Sequence, residues 1–258
     1  MDWRSLIGVA VGGAAIAFAY GVDGGELAAL LQPSGLAVVL GGTLGALLLQ
    51  CGPLRIVHAA RLLSHSFSVR HDRPDLRALV RLWGATVRRS GALALDGIEK
   101  KIDDPFIARG LRLLVDGVTP TRIAEVLDAD TDAFEMQRRQ AIRVWESAGG
   151  TAPTMGILGA VLGLVQVMQH LSEPAKLGPG IAVAFVSTLY GVGLANLLFL
   201  PVANRMKEQL ATELRERDLF AGAIVALAAG EPGHLIEERI GMAPVRQRKA
   251  LDHATPAR

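Results

Sequence analysis

PTMGILGAVLGLVQVMQHL (Pro153–Leu171) and GIAVAFVSTLYGVGLANLLFLPVA (Gly180–Ala203) are two apolar runs separated only by Ser172–Pro179. Neither contains a Lys, Arg, Asp or Glu. Each reaches the roughly 17–25 residues that a helix needs to cross the hydrocarbon core of a bilayer. Two more such runs lie upstream, LIGVAVGGAAIAFAYGV (Leu6–Val22) and GLAVVLGGTLGALLLQCGPL (Gly35–Leu54), and they too are free of charge. A single run of this kind reads equally well as a buried core helix. Four of them in 258 residues predict an all-α integral membrane protein with four transmembrane helices.

The rest of the composition agrees. Half of the residues are hydrophobic but only 5% are aromatic, so the apolar excess lies in Ala, Leu, Val, Ile and Gly. The 29 glycines follow no collagen-like period, and close helix contact in lipid is the mechanism that rewards them. A formal net charge of +2 with no run of like charges gives no reason to expect a nucleic-acid partner. Cys51 is the only cysteine, which excludes an internal disulfide and a cysteine metal cluster; it reads as a small apolar residue at a helix end.

Basic residues set the orientation, because cytoplasmic loops carry the excess of Lys and Arg. The connection Asp23–Ser34 has none, and Ser172–Pro179 sets Lys176 against Glu173. Both are expected on the periplasmic side. Arg55 and Arg61 open the long Arg55–Gly150 segment, Arg138, Arg139 and Arg143 close it, and Arg205 and Lys207 follow the fourth span. That segment and both termini are therefore expected in the cytoplasm of a bacterium, with the spans in its inner membrane. The expected divisions are 1–54, the first two spans; 55–150, a helical cytoplasmic domain; 151–203, the last two spans; and 204–258, a cytoplasmic helix and tail. The amino end, with Ala17-Phe18-Ala19 after an apolar run, could imitate a secretory signal. A single Arg in the leading segment and a long run favour an uncleaved first helix.

Within the long segment, Pro74-Asp75 opens a stretch in which Leu76, Leu79, Val80, Trp83 and Val87 recur at helical spacing, with Gly91 as its stop. A second helix carries Phe106, Ile107, Leu111, Leu114 and Val115 and ends at Asp116-Gly117, with Asp103-Asp104 as a turn or cap before it. Thr119-Pro120 starts a third, and Asp130–Ser147 reads as a separate fourth that feeds the membrane. No alternating run is long enough for a strand. The tail beyond Glu231-Pro232-Gly233 reads as a short helix followed by disorder.

The spans themselves suggest a mechanism by what they lack. Ionisable groups at mid-bilayer cost roughly 2.5–3.5 kcal/mol on insertion scales and persist only where function requires them. Without one, this chain is not a complete pump, and any ion that passes must find its carboxylate on a partner. What remains is a wall with neutral polar groups: Thr154 and Gln166 on the third span, Ser187, Thr188, Tyr190 and Asn196 on the fourth. Thr188 is the residue expected to face an ion path, whereas the Ser187 hydroxyl can equally bond back to its own helix. His170, near the periplasmic end, reads as an interfacial anchor. Small residues four apart, Gly159 and Gly163, then Ser187, Gly191 and Ala195, predict close approach of the two helices. Gly41 and Gly45 fit ordinary bundle packing. Pro153 and Pro201 bracket the pair, where a missing backbone donor can end, kink or pivot a helix.

The block from Gly149 to Lys207 resembles the paired third and fourth helices of MotA-type flagellar stator proteins. The block VRRSGALALDGIEKKIDDPFIARGLRLLVDG (Val87–Gly117) resembles their cytoplasmic signature, and the SLIG start and the GGTLGALLLQ of the second span are similar too. The wording of the membrane block is nearest to the MotC branch. The resemblance implies a homopentameric ring in membrane lipid, around a MotB-type single-span partner that binds peptidoglycan and carries the ion-accepting aspartate. It also implies a cytoplasmic domain that pushes on the rotor protein FliG. Pro153 and Pro201 match the family's two functional prolines and Thr188 its span-four threonine. Arg88 matches a rotor-facing arginine, and Asp96 stands where the family usually has glutamate. Sodium-type relatives place threonine where this chain has Ala160. A methyl cannot replace part of a sodium shell, so protons are the expected ion, and no cofactor or metal is expected.

TolQ/ExbB-type energisers are the rival reading; they usually have three spans, and the charge-free first run and the Arg88/Gly91 block discriminate against them. A passive membrane scaffold is the second rival. An enzyme is the weakest, since there is no Walker loop, no GxSxG, no His/Cys metal spacing and no paired carboxylates near a plausible pocket.

Overall fold

A computed structural model describes residues 3–22, 24, 27–68, 76–98, 102–232 and 236. Among them every regular element is a helix: α1 (Trp3–Val22), α2 (Pro33–Cys51), α3 (Pro53–Ser68), α4 (Leu76–Ser90), α5 (Pro105–Val115), α6 (Pro120–Gln169), α7 (Pro174–Leu194) and α8 (Leu200–Ala228). Short 3₁₀ turns stand at Leu27–Leu30 and Ala92–Leu95, and a π turn, Ala195–Phe199, joins α7 to α8. Pro74-Asp75 and the tail after Pro232 lie outside the described residues, apart from Ile236.

Among the described residues three helices are long and apolar enough to cross a membrane: α2, α6, and the continuous rod Pro174–Ala228 made by α7, the π turn and α8. In α1 the corresponding apolar stretch is the shorter Ala10–Ala19. The chain divides into two compact units. One comprises Met1–His71 and Met136–Leu210, the other Asp72–Glu135 and Ala211–Arg258.

Close backbone contact holds the first unit together. A Cβ on Gly163 of α6 would lie 2.6 Å from the Ala184 backbone nitrogen and 2.7 Å from the Gly180 carbonyl oxygen on α7. One on Gly191 would lie 2.7 Å from the Ala152 carbonyl oxygen, and one on Gly156 2.9 Å from that of Ser187. A side chain at any of these positions would have to push backbone aside. In lipid, where apolar surface gains nothing by leaving the solvent, such contact supplies the association energy. α2 joins through Gly35, which faces the Ser187 side chain, and Gly42, which faces Met155. α1 joins through Gly12 against Leu197. Gly41 and Gly45 meet nothing within 4 Å, so the contacts that fix α2 come from other glycines than that pair.

The second unit has a conventional apolar core. Val80 and Trp83 of α4, Phe106 and Leu111 of α5, Ile123 and Leu127 of α6, and Phe220 and Ile224 of α8 are all buried together. Trp83 meets Phe220 edge-on at 6.2 Å, and Phe106 lies 5.5 Å from the same ring. Gly110 admits that ring, because a Cβ there would lie 2.6 Å from Phe220 Cε1. Arg217 places its guanidinium 4.4 Å from the Phe106 ring centroid and 3.8 Å from that of Phe134. Gly91 ends α4 in the left-handed region (φ 80°), its N–H donating to Val87 O, as the sequence predicts. The Asp104 carboxylate caps α5 by accepting from Phe106 N at 2.9 Å.

Two sequence expectations are corrected. Pro120–Gln169 is one helix of 50 residues rather than two helices followed by a span that opens at Pro153. No Gly or Pro interrupts it before Gly149, and Thr131, a candidate cap by type, instead donates its hydroxyl back to Leu127 O at 2.8 Å. Pro153 sits inside that helix, tolerated because a membrane bundle can absorb one freed carbonyl. Similarly, α7 begins at Pro174, earlier than the apolar run, with proline at its first turn and Pro179 inside it.

Gly163→Ala should lower stability by about 1–3 kcal/mol, the usual cost of overpacking a filled contact. Gly222→Ala, where a Cβ meets open space, should be neutral or slightly stabilising. Denaturation midpoints of the detergent-solubilised protein check both.

Candidate functional site

The α6–α7 pair positions most of the residues singled out from the sequence. Gly156 touches the Thr188 backbone, a Cβ there lying 3.3 Å from Thr188 Cα. Ala160 stands one turn further along α6, half-buried. Thr188 is half-buried and donates its hydroxyl to Ala184 O at 3.3 Å. The Ser187 hydroxyl is fully buried and donates to Val183 O at 2.6 Å. Thr154 donates to Thr151 O at 2.6 Å and Asn196 to Val192 O at 3.0 Å. These four side chains thus bond to backbone three or four residues back, and of the Ser187 and Thr188 hydroxyls the one at Thr188 is held by the longer bond.

Pro153 and Pro201 lie near the other end of the pair, in the region where α6 meets the start of α8. There Leu200 covers Gly149, whose Cβ would come within 2.5 Å of Leu200 Cδ2. Trp145 and Phe199 stack loosely at 6.2 Å, and Lys207 pairs with Glu146 at 2.5 Å. His170 closes α6, its Nδ1 2.9 Å from Gln166 O, and Glu173 pairs with Lys176 at 2.7 Å.

Sequence reasoning missed Tyr190 as a fastener. Its hydroxyl donates to Leu30 O and accepts from Gln32 N at 3.1 Å, joining α7 to the segment that leads into α2. The separation of about 160 residues left no local signal. Gly156 and Gly180 were missed for a different reason. Their spacing from Gly159 and Gly163 or from Ala184 is visible in the chain, but which glycines face a helix is decided only by packing.

Arg88 and Asp96 belong to the second unit. Arg88 is exposed in the last turn of α4 and donates its Nε to Gly84 O at 3.3 Å. Asp96 is exposed directly after the 3₁₀ turn Ala92–Leu95, its backbone N–H donating to Leu93 O. The turn is anchored by Leu95, which is fully buried, so both charges are presented outward from a fixed base.

From Leu177 to Asn204, and from Gly149 to Gln169, no residue is titratable as an acid or a base apart from the Tyr190 phenol. The pair can line a path but cannot itself hold a proton in transit. Residues 98–218 match the MotA/TolQ/ExbB proton channel family. The chain is 32% identical over 206 residues to the uncharacterised protein YtxD of Bacillus subtilis, covering 79% of this chain and 75% of that one. The chain belongs to the MotA/TolQ/ExbB proton channel family. Within it, similarity to Motility protein A of Bacillus subtilis is 28% identity over 94% of this chain and 90% of that protein. The flagellar MotAB stator complex from Bacillus subtilis contains a chain of like fold, with a TM-score of 0.83 and 27% identity over 93% of this chain and 95% of that one. Members of a proton channel family move ions rather than transform substrates, so the enzyme reading is set aside.

Replacing Tyr190 by Phe should leave the Leu30 carbonyl and the Gln32 N–H without their partner and cost about 1–3 kcal/mol. A lower denaturation midpoint, with faster amide exchange at Gln32, would show it.

Proposed function

We propose that this chain forms the ring of an ion-driven flagellar stator and that its α6–α7 pair is the wall facing the ion path. It is a membrane-embedded stator subunit of the flagellar motor. The observation that carries the ring reading is a tightly packed helix pair with no carboxylate or amine of its own, which fits a family whose solved relative is a complex with MotB. In this reading four helices span the inner membrane, α1 included, and both termini and residues 55–150 and 204–258 are cytoplasmic. Five copies surround a MotB-type single-span, peptidoglycan-binding partner that supplies the ion-accepting aspartate. The two spanning segments 1–54 and 151–203 form the membrane part.

Thr188 and Ala160 flank the path, and the methyl of Ala160 favours protons over sodium. Pro153 and Pro201 gate it where backbone donors are missing. Arg88 and Asp96 make the contact with the rotor protein FliG. A unit charge crossing 100 mV releases about 2.3 kcal/mol, which is the energy available per ion for a step. Relatives named for motility favour this reading over a TolQ/ExbB-type energiser.

In a strain deleted for the chain, complementation should restore swimming, and Asp96→Lys should abolish most of it at an unchanged membrane level. Undiminished swimming with Asp96→Lys would remove that residue from the rotor contact. Swimming should stop with a protonophore and ignore external sodium; the opposite response would reverse the ion assignment.

A further inference from the structure

The π turn Ala195–Phe199 interrupts the rod formed by α7 and α8, and π turns inside helices mark functional sites more often than regular helix does. Its cause is legible in the residues. Pro201 has no N–H for the carbonyl four residues back, Leu197, and its ring crowds that carbonyl. Widening the helix by one residue relieves the crowding, and Leu200 N–H then donates to Ala195 O, five residues back. At the upstream edge the Ala195 N–H is shared between Gly191 O and Val192 O. The Asn196 carboxamide completes the pairing by donating to Val192 O at 3.0 Å.

The turn touches two neighbouring helices. Leu197 fills the space over Gly12 on α1, and Phe199 lies against Trp145 on α6. Trp145 Nε1 is buried without an acceptor. A donor in reserve therefore stands beside a stretch of helix that Pro201 leaves one donor short. The backbone there is widened rather than broken, and an unused donor lies against it.

We infer that Ala195–Phe199 is a rewinding joint, that Asn196 holds it in the widened register seen here, and that Trp145 supports the other register. Asn196 and Trp145 are positioning residues for the ion-driven movement, an assignment that rests on the stator reading above. Passage of an ion along α7 would release the Asn196 bond and let the turn rewind. The residues after it would then rotate against α1 and α6.

The test uses the full-length chain in a deletion strain and in lipid nanodiscs. Asn196→Leu keeps the bulk and removes the donor, Trp145→Phe keeps the ring stack and removes the N–H, and Asn196→Gln keeps the carboxamide. Asn196→Leu and Trp145→Phe should each reach the membrane at the wild-type level and slow swimming about fivefold, the factor set by one net hydrogen bond. The double variant should be no slower than the slower single one, and Asn196→Gln should recover part of the speed. Wild-type swimming in either single variant overturns the inference. Amide exchange in the wild-type nanodisc sample gives a readout that does not depend on the motor. Residues 195–200 should exchange about fivefold faster than 184–194, and faster still in Asn196→Leu; equal protection overturns the inference even where a variant fails to insert. If the deletion strain itself swims normally, the stator reading fails, and the exchange result alone decides whether the joint exists.

Discussion

Direct contact between the backbones of α6 and α7 is the constraint on which the first unit depends. Gly156, Gly163, Gly180 and Gly191 bring main chain against main chain, and the Ser187 side chain fills the next position against Gly35 and Gly159. Helices packed this closely leave no space for water or a charged side chain between them. The same packing thus provides cohesion in lipid and excludes the titratable groups that a self-sufficient ion carrier would need. Function follows from this constraint by complementarity. A dry, neutral pair is suited to form a wall and supplies no carboxylate or amine of its own.

The second unit obeys a different rule. Its core is aromatic and aliphatic, with Trp83 and Phe106 both against Phe220, and its cohesion comes from apolar burial. Arg88 and Asp96 are exposed beside that core, and the buried Leu95 fixes the turn that carries Asp96. The two units show two ways to close a helical core, with glycine doing in one what large side chains do in the other.

The helical class and the apolar segments were legible because long uncharged runs and glycine spacing are local signals. The stops were legible where a residue type dictates them, as at Gly91 with its positive φ and at Asp104 with its capping carboxylate. Boundaries failed where tertiary packing overrode a breaker. Pro153 reads as the start of a span, yet α6 runs through it, because a helix inside a bundle tolerates one freed carbonyl. The polar residues of the fourth span were recognisable by type. Their bonding was not, since a hydroxyl on a helix can turn inward to its own backbone or outward, and sequence does not choose. Tyr190 could not have been paired with Leu30 from the chain alone, as the two meet only after α2 and α7 have packed.

The guanidinium of Arg217 between the rings of Phe106 and Phe134 has a bearing on the working environment of the second unit. Cation and aromatic faces attract through a charge and a quadrupole, and neither partner gains or loses a proton across the physiological range. A clamp of this kind keeps its grip when acid conditions neutralise carboxylates and ordinary ion pairs weaken. At that fastening, the fold of this unit is insulated from any change in the acidity around it.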